Sequence, residues 1–247
     1  MMVDEYYHLY AVERELWLLR GLRRTALDAL APRLPGDGRG QVLEVACGTG
    51  AMLDALRACS RPAGIDLSAV ATGYGHERRG HSVARASMTV LPFADGAFDA
   101  VLCLDALGAV PPSDDAVALG EMARVLRPGG ALVLWAAAHP ALYGAHDRAT
   151  GMAQRHCRQG LWAIVQRAGL TVDKLSYANM CCFPGIAAIR LLRRLWPAAN
   201  AAGSDVALPP RPVNVLLSRV MELEAALLRR RNLPFGLSLF VVARREG

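Results

Sequence analysis

The residues best placed to do chemistry are Val42-Leu43-Glu44-Val45-Ala46-Cys47-Gly48-Thr49-Gly50 and, one helix later, Ile65-Asp66-Leu67-Ser68. Val42, Leu43 and Val45 make the short apolar run of a strand buried on both faces. Gly48 and Gly50 permit a tight turn and a close ligand approach that a Cβ would obstruct. Asp66 ends the next strand, where an open parallel sheet places its ligands, and its carboxylate can accept both hydroxyl hydrogens of a ribose. The pair of segments reads as a site for a nucleoside cofactor. A dinucleotide fingerprint needs a third small residue three positions after the second glycine, and Leu53 stands there instead, which weakens a pyrophosphate reading.

At this point the chain resembles the class I S-adenosylmethionine-dependent methyltransferases, specifically the type 11-like group. Residues 42 to 50 follow that family's first motif, hydrophobic-Asp/Glu-hydrophobic-Gly/Ala-Cys/Ser-Gly-Thr-Gly. Val90-Leu91-Pro92-Phe93-Ala94-Asp95-Gly96-Ala97-Phe98-Asp99-Ala100-Val101 is similar to its entry into the fourth strand, and Leu126-Arg127-Pro128-Gly129-Gly130 to its turn before the fifth. The resemblance covers about residues 40 to 137. It implies S-adenosyl-L-methionine as cofactor, with Glu44 at its amino end, Ala46, Cys47, Gly48 and Gly50 along its backbone cradle, Asp66 on the ribose and Leu67 against the adenine. Ser87 and Met88 replace the family's usual Asp-Ala, so a neutral hydroxyl stands where a carboxylate would meet the adenine amino group. Leu104-Asp105-Ala106-Leu107 keeps the Asp-hydrophobic-Leu run, and Gly108-Ala109 replaces the common Glu-His.

Methyl transfer from a sulfonium is an in-line displacement, so donor and nucleophile must be held in register and the nucleophile's proton removed where it has one. With no histidine after the fourth strand, the base is expected beyond the fifth. His139, Tyr143, His146 and Asp147 crowd there, and imidazole titrates near working pH. His146-Asp147 is similar to a His-Asp pair of some relatives, whose following Gly-His-x-Arg-Arg-Tyr is reduced here to Gly151 and Arg155. The catalytic candidates are therefore His146, Asp147 and His139.

Elements to position these residues follow from periodicity. Two short helices are expected over Asp4 to Leu34, with a break near Gly21 and an end at Pro35-Gly36-Asp37-Gly38. Strands and helices then alternate: strands at 41–45, 63–65, 82–85, 97–104 and 131–136, helices after Gly50, from Ser68 and over 114–126. A helix through Ala168, a strand over 170–177 and a last strand over 237–244 complete the pattern. The expected fold is α/β, a Rossmann-like three-layer α/β/α sandwich on a seven-stranded mixed sheet, with N-terminal helices and a helical cap before the last strand. The chain divides into an N-terminal helical segment (1–38), a cofactor-binding core (40–138) and a substrate-side segment (139–247), all within one domain. Residues of about 180–235, too long for a hairpin turn, form the cap. Its helices are 186–195 and 213–231, the first setting Ile186, Ile189, Leu192 and Trp196 against Arg190, Arg193 and Arg194.

The composition agrees with one well-packed domain: 247 residues, 53% hydrophobic. No apolar run approaches the ~18 residues of a membrane span, and the start of the chain is acidic, unlike a signal sequence. A cytoplasmic protein is expected. Six cysteines without C-x-x-C spacing indicate neither a zinc site nor a disulfide framework, so no metal is expected. The formal charge is +6, yet Lys174 is the only lysine and the arginines are scattered, so nucleic acid is not expected as a partner. The function read from these features is methyl transfer to a small acceptor, apolar or lipid-like, such as a secondary metabolite. The basic amphipathic helix also allows peripheral contact with a membrane. Two alternatives stay open: a cyclase or binding module that uses the cofactor without transferring its methyl, and a nicotinamide-dependent oxidoreductase.

Overall fold

The computed structural model describes residues 3–77, 80–195 and 207–246. Continuous apolar strands alternate with helices as the sequence pattern requires, because strands covered on both faces cannot show polar alternation. The helices are α1 (Val3–Val12), α2 (Trp17–Leu30), α3 (Ala51–Leu56), α4 (Ala69–Glu77), α5 (Asp115–Val125), α6 (Ala145–Ala149), α7 (Arg158–Arg167), α8 (Phe183–Leu195) and α9 (Arg211–Arg230). The strands are β1 (Gln41–Val45), β2 (Arg61–Asp66), β3 (Ser82–Arg85), β4 (Phe98–Leu104), β5 (Leu126–Ala137), β6 (Leu170–Ala178) and β7 (Ser238–Arg245). They form one seven-stranded sheet in the order β3-β2-β1-β4-β5-β7-β6. All neighbours are parallel except β7, which runs antiparallel to both β5 and β6. This is the expected mixed sheet with its closing hairpin.

Two apolar layers flank the sheet. Leu22, Ala26 and Leu30 of α2, Met52, Leu53 and Leu56 of α3, and Leu228 of α9 pack with Val42, Leu102, Val133, Trp135 and Phe240 on one face. Ala118, Leu119 and Met122 of α5, with Leu161 and Val165 of α7, pack with Leu43, Val101, Leu132 and Leu134 on the other. Alternate residues of one strand thus feed both cores.

Two boundaries differ from the sequence expectation. The N-terminal break falls at residues 13–16 and not near Gly21, which lies inside α2. Gly21 serves packing: a Cβ there would come within 2.7 Å of the Met221 side chain on α9. β5 begins at Leu126, five residues early, since Leu126 already pairs with Phe98 across a bulge. On α8, Arg190 points inward, with 15% side-chain exposure, while Ile189 and Leu192 are exposed. Trp196 lies outside the described residues, as do the side chains of Arg193 and Arg194. Among the described residues no helix is long and apolar enough to cross a membrane.

Candidate functional site

β1 lies between β2 and β4, and the chain fills the sheet outward in both directions from it. Such a switch point opens a crevice at the carboxyl ends of the strands. There the backbone takes an unusual form: the residues following β1, β4, β5 and β6 include Ala46 (φ 59°), Asp105 (φ 57°), His139 (φ 60°) and Asn179 (φ 60°), all left-handed without being glycine. Each such conformation costs about 1–3 kcal/mol and persists only where surrounding contacts impose it. The strand ends are bent sharply at the rim of one crevice.

At β1 the chain turns through Gly48 (φ 52°) and Gly50 (φ 87°) into α3. Asp66 holds this turn: its Oδ2 accepts the Gly48 N–H at 2.9 Å, and its Oδ1 accepts the Ser68 N–H at 2.9 Å and the Tyr6 hydroxyl at 3.4 Å. The carboxylate therefore fixes the glycine turn, starts α4 and meets the N-terminal helix at once. It still has acceptor capacity, since an ionised carboxylate offers about four lone-pair positions. Leu67, next in sequence, is 67% exposed, a large apolar side chain open at the crevice rim. Leu53, which occupies the third small position of a dinucleotide motif, is fully buried. The close helix–strand packing is supplied instead by Gly64 on β2, where a Cβ would stand 2.9 Å from Leu53 Cδ1 and 2.8 Å from Cys47 Sγ. Burial pushes the Cys47 thiol far up, as expected of a packing residue and not of a nucleophile.

Behind the turn lies a cluster of buried carboxyls. Glu44 is 5% exposed, and its Oε2 has no hydrogen-bond partner among the described residues. Burial holds its carboxyl well above the usual carboxylate range; Glu13 raises it further, Arg23 opposes and Asp66 adds to the rise. Glu13 is itself buried and accepts the Thr49 hydroxyl at 2.5 Å, while its backbone carbonyl accepts from Arg23 at 2.7 Å. Ser87 and Met88 follow β3; the Ser87 hydroxyl lies 2.7 Å from that of Thr89, and Met88 is buried. Leu104 ends β4. Asp105 opens onto the crevice, yet close-packed protein raises its carboxyl pKa, with Arg155 the first of its opposing charges.

On the other side of the crevice the loop after β5 is folded back on the sheet. Asp147 is 2% exposed; its Oδ1 receives Arg155 at 2.7 and 2.8 Å, and its Oδ2 receives the Gly144 N–H at 2.8 Å and Arg190 at 3.4 Å. This carboxylate ties α6, α8 and the 152–156 segment together. Deeper, His156 Nε2 lies 2.9 Å from Asp115, which also accepts from Gln154 at 2.9 Å. The 153–154 amides donate to the Gly108 carbonyl. A Cβ on Gly108 would meet the Gln154 carbonyl at 2.5 Å, so this loop path leaves no room for a side chain there.

His139 is half-buried. Its ring lies parallel to Tyr177, with centroids 5.4 Å apart, and tilted on Phe183 at 5.2 Å, which in turn meets Phe235 at 5.8 Å. Its Nε2 is 2.9 Å from the Gly236 carbonyl. A carbonyl only accepts, so Nε2 carries the hydrogen and Nδ1 of the neutral ring carries the lone pair. His146, on α6, acts electrostatically on Asp105.

Sequence reasoning missed Glu13, Arg155, Tyr177, Phe183 and Phe235. Arg155 had a signal, as the arginine retained from the family's run. Glu13 had none, because an acidic residue on an N-terminal helix ordinarily faces water.

Comparison with known proteins bears on the same region. A methyltransferase domain family matches residues 43–134. A demethylmenaquinone methyltransferase of Beutenbergia cavernae is 40% identical over 114 residues, 45% of each chain, so this chain spans less than half of that relative's length. The fold is shared with an S-adenosylmethionine-dependent methyltransferase from Mesorhizobium loti (TM-score 0.57, 18% identity, 90% of this chain and 98% of that one). It is also shared with the [4+2]-cyclase SpnF (TM-score 0.56, 22% identity, 91% and 80%).

Proposed function

We propose that the protein, whose residues 43–134 match a methyltransferase domain family, binds S-adenosyl-L-methionine and methylates a small, planar, apolar acceptor. The observation that carries the reading is the convergence of Glu44, the Gly48 turn and Asp66 at the switch point, with an orphaned carboxylate oxygen on Glu44 suited to a ligand ammonium. In this reading the Ala46 to Gly50 backbone lines the cofactor, Asp66 accepts from its ribose and Leu67 covers its adenine. Ser87, Met88, Leu104 and Asp105 complete the wall. When bound, the cofactor supplies an electrophilic methyl group on a sulfonium.

The acceptor side is residues 139–247 of a single domain. Tyr177, Phe183 and Phe235 provide flat apolar surface beside His139, and the similarity to a demethylmenaquinone methyltransferase supports an aromatic acceptor of quinol type. His139 is the general base: with Nε2 committed to Gly236, Nδ1 takes the proton from the acceptor's O–H or acidic C–H. His146 adjusts the charge on Asp105. Asp147 is a positioning residue, since both its oxygens are engaged in holding the loop. We place the protein in the cytoplasm and in secondary metabolism, with α8 as the element able to touch a membrane carrying the acceptor.

Calorimetric titration with S-adenosylhomocysteine and with NAD tests the cofactor half. Incubating the protein with S-adenosylmethionine and a quinol series, with mass spectrometry for a +14 product, tests the rest. Binding of NAD alone would overturn the reading. Cofactor binding with no methylated product and an altered acceptor skeleton would favour a cyclase. His139→Gln is expected to lower turnover about 100-fold while leaving S-adenosylhomocysteine affinity within about twofold.

A further inference from the structure

The cluster of buried carboxyls behind the glycine turn has a property that the cofactor-binding role of Glu44 alone does not explain. We infer that Glu13, on the turn between α1 and α2, joins Glu44 as a two-carboxyl seat for the ammonium end of the cofactor, and that the pair holds a proton which departs when the ammonium arrives. The inference rests on the S-adenosylmethionine reading above.

Geometry sets the seat. Glu44 sits on β1 between Gly64 of β2 and Leu102 of β4, so its side chain leaves a central strand into protein and not into water. It is nineteen-twentieths buried, and Oε2 has no partner among the described residues. A carboxylate left ionised and unpaired in such a place is strongly disfavoured, so it either holds a proton or meets a cation. Glu13 approaches from the N-terminal segment. Its Oε2 accepts from Thr49, the residue between Gly48 and Gly50, which places a second buried carboxylate against the turn that would line the ligand. The same segment seats Tyr6 on Asp66 and sets Leu9 Cδ2 3.9 Å from the Cβ position of Gly48, so it covers this part of the crevice.

The ionisable groups around Glu44 are few. Glu13 faces it from the N-terminal turn, Arg23 from α2, Asp66 from the end of β2, Cys47 from the turn after β1 and Cys103 from β4. Both thiols are pushed up by burial, Cys103 to about 12, and stay neutral at working pH. Among the described residues three carboxyls thus meet one guanidinium, a net charge of −2 with all ionised, and one bound proton halves that excess to −1. An incoming ammonium supplies the missing cation, so the proton passes to solvent: one O–H bond breaks, buffer gains the proton and no electrons move. Binding must then strengthen as pH rises, until the ligand's own ammonium titrates.

The test is calorimetric titration of the full chain at pH 7.5 in buffers of different ionisation enthalpy, using S-adenosylhomocysteine and 5′-methylthioadenosine, which lacks the amino-acid end. The wild-type protein should release about half a proton or more per S-adenosylhomocysteine and close to none with methylthioadenosine. Glu13→Gln keeps an oxygen for Thr49 but removes the second acid; it should abolish most of the release and weaken S-adenosylhomocysteine about tenfold. Glu13→Asp, which retains the acid, should retain the release. Binding without proton release, equal release with both ligands, or undiminished release in Glu13→Gln overturns the inference and leaves the cofactor assignment standing. No binding of S-adenosylhomocysteine overturns the cofactor assignment itself, and this inference with it.

Discussion

At the scale of single residues the crevice is a set of carboxylates given different tasks by their surroundings. Asp66 is heavily used, accepting two backbone amides and a tyrosine hydroxyl. Asp66→Ala removes these acceptors together with the proposed ribose contact, and S-adenosylhomocysteine affinity is expected to fall by about 1–3 kcal/mol, roughly 10- to 100-fold. Calorimetry measures it directly. Glu44 is the opposite case. Its carboxyl would titrate near 4.5 in an open chain, and burial raises it well above that in the folded protein. The native state then binds more protons than the unfolded one, so this contribution to stability is full below about pH 4.5 and is lost as pH rises through the higher folded value. Ligand-free protein should melt at progressively lower temperature from pH 5 to pH 8, and Glu44→Gln should flatten that decline. A wild-type melting temperature that rises steadily over the same range would contradict the assignment.

At the scale of elements, buried polar residues do most of the positioning. The Asp147–Arg155 pair, with side chains 2% and 4% exposed, fastens the loop after β5. Removing one member of a buried pair strands the other, so Arg155→Met should cost about 3–5 kcal/mol in urea unfolding. The double variant Asp147→Leu/Arg155→Met should recover much of that loss, since the uncompensated charge is gone. Glu224 of α9 plays a similar part, accepting the N–H groups of Asn179, Met180 and Cys181 just before α8. At Gly108 the limit is steric: Gly108→Ala should displace the 152–154 segment at about 1–3 kcal/mol and reduce acceptor turnover more than cofactor affinity. These elements were unequally legible in the sequence. The glycine turn was legible because its residues are adjacent and their backbone demands are local. Glu224 was not, because its partners lie on other elements, and a charged residue on a helix is ordinarily solvated.

At the scale of the whole molecule, the N-terminal segment and α9 belong to one layer. α2 packs along α9, with Gly21 against Met221, Asn214 bridging the Trp17 amide and the Glu15 carbonyl, and Arg229 on Asp28. The segment that covers the glycine turn is thereby braced by a helix from the other end of the chain. Closure over the cofactor should show in hydrogen exchange: amides of residues 3–16 are expected to gain protection when S-adenosylhomocysteine binds, while those of β4 and β5 stay unchanged. Equal protection with and without ligand would mean that the cover is fixed.

By itself the sequence determined the parallel core, the glycine turn and the carboxylate that ends β2, since each depends on contiguous apolar runs or on backbone conformations that few residues tolerate. Only the tertiary structure decided that Glu13 reaches the glycine turn through Thr49, that Asp147 anchors a loop, and that His139 lies against Tyr177 and Phe183 with Nε2 on the Gly236 carbonyl. Those roles arise from residues far apart in the chain meeting in a medium of low polarity. There the partner a side chain finds, and not its type, sets its charge and its work.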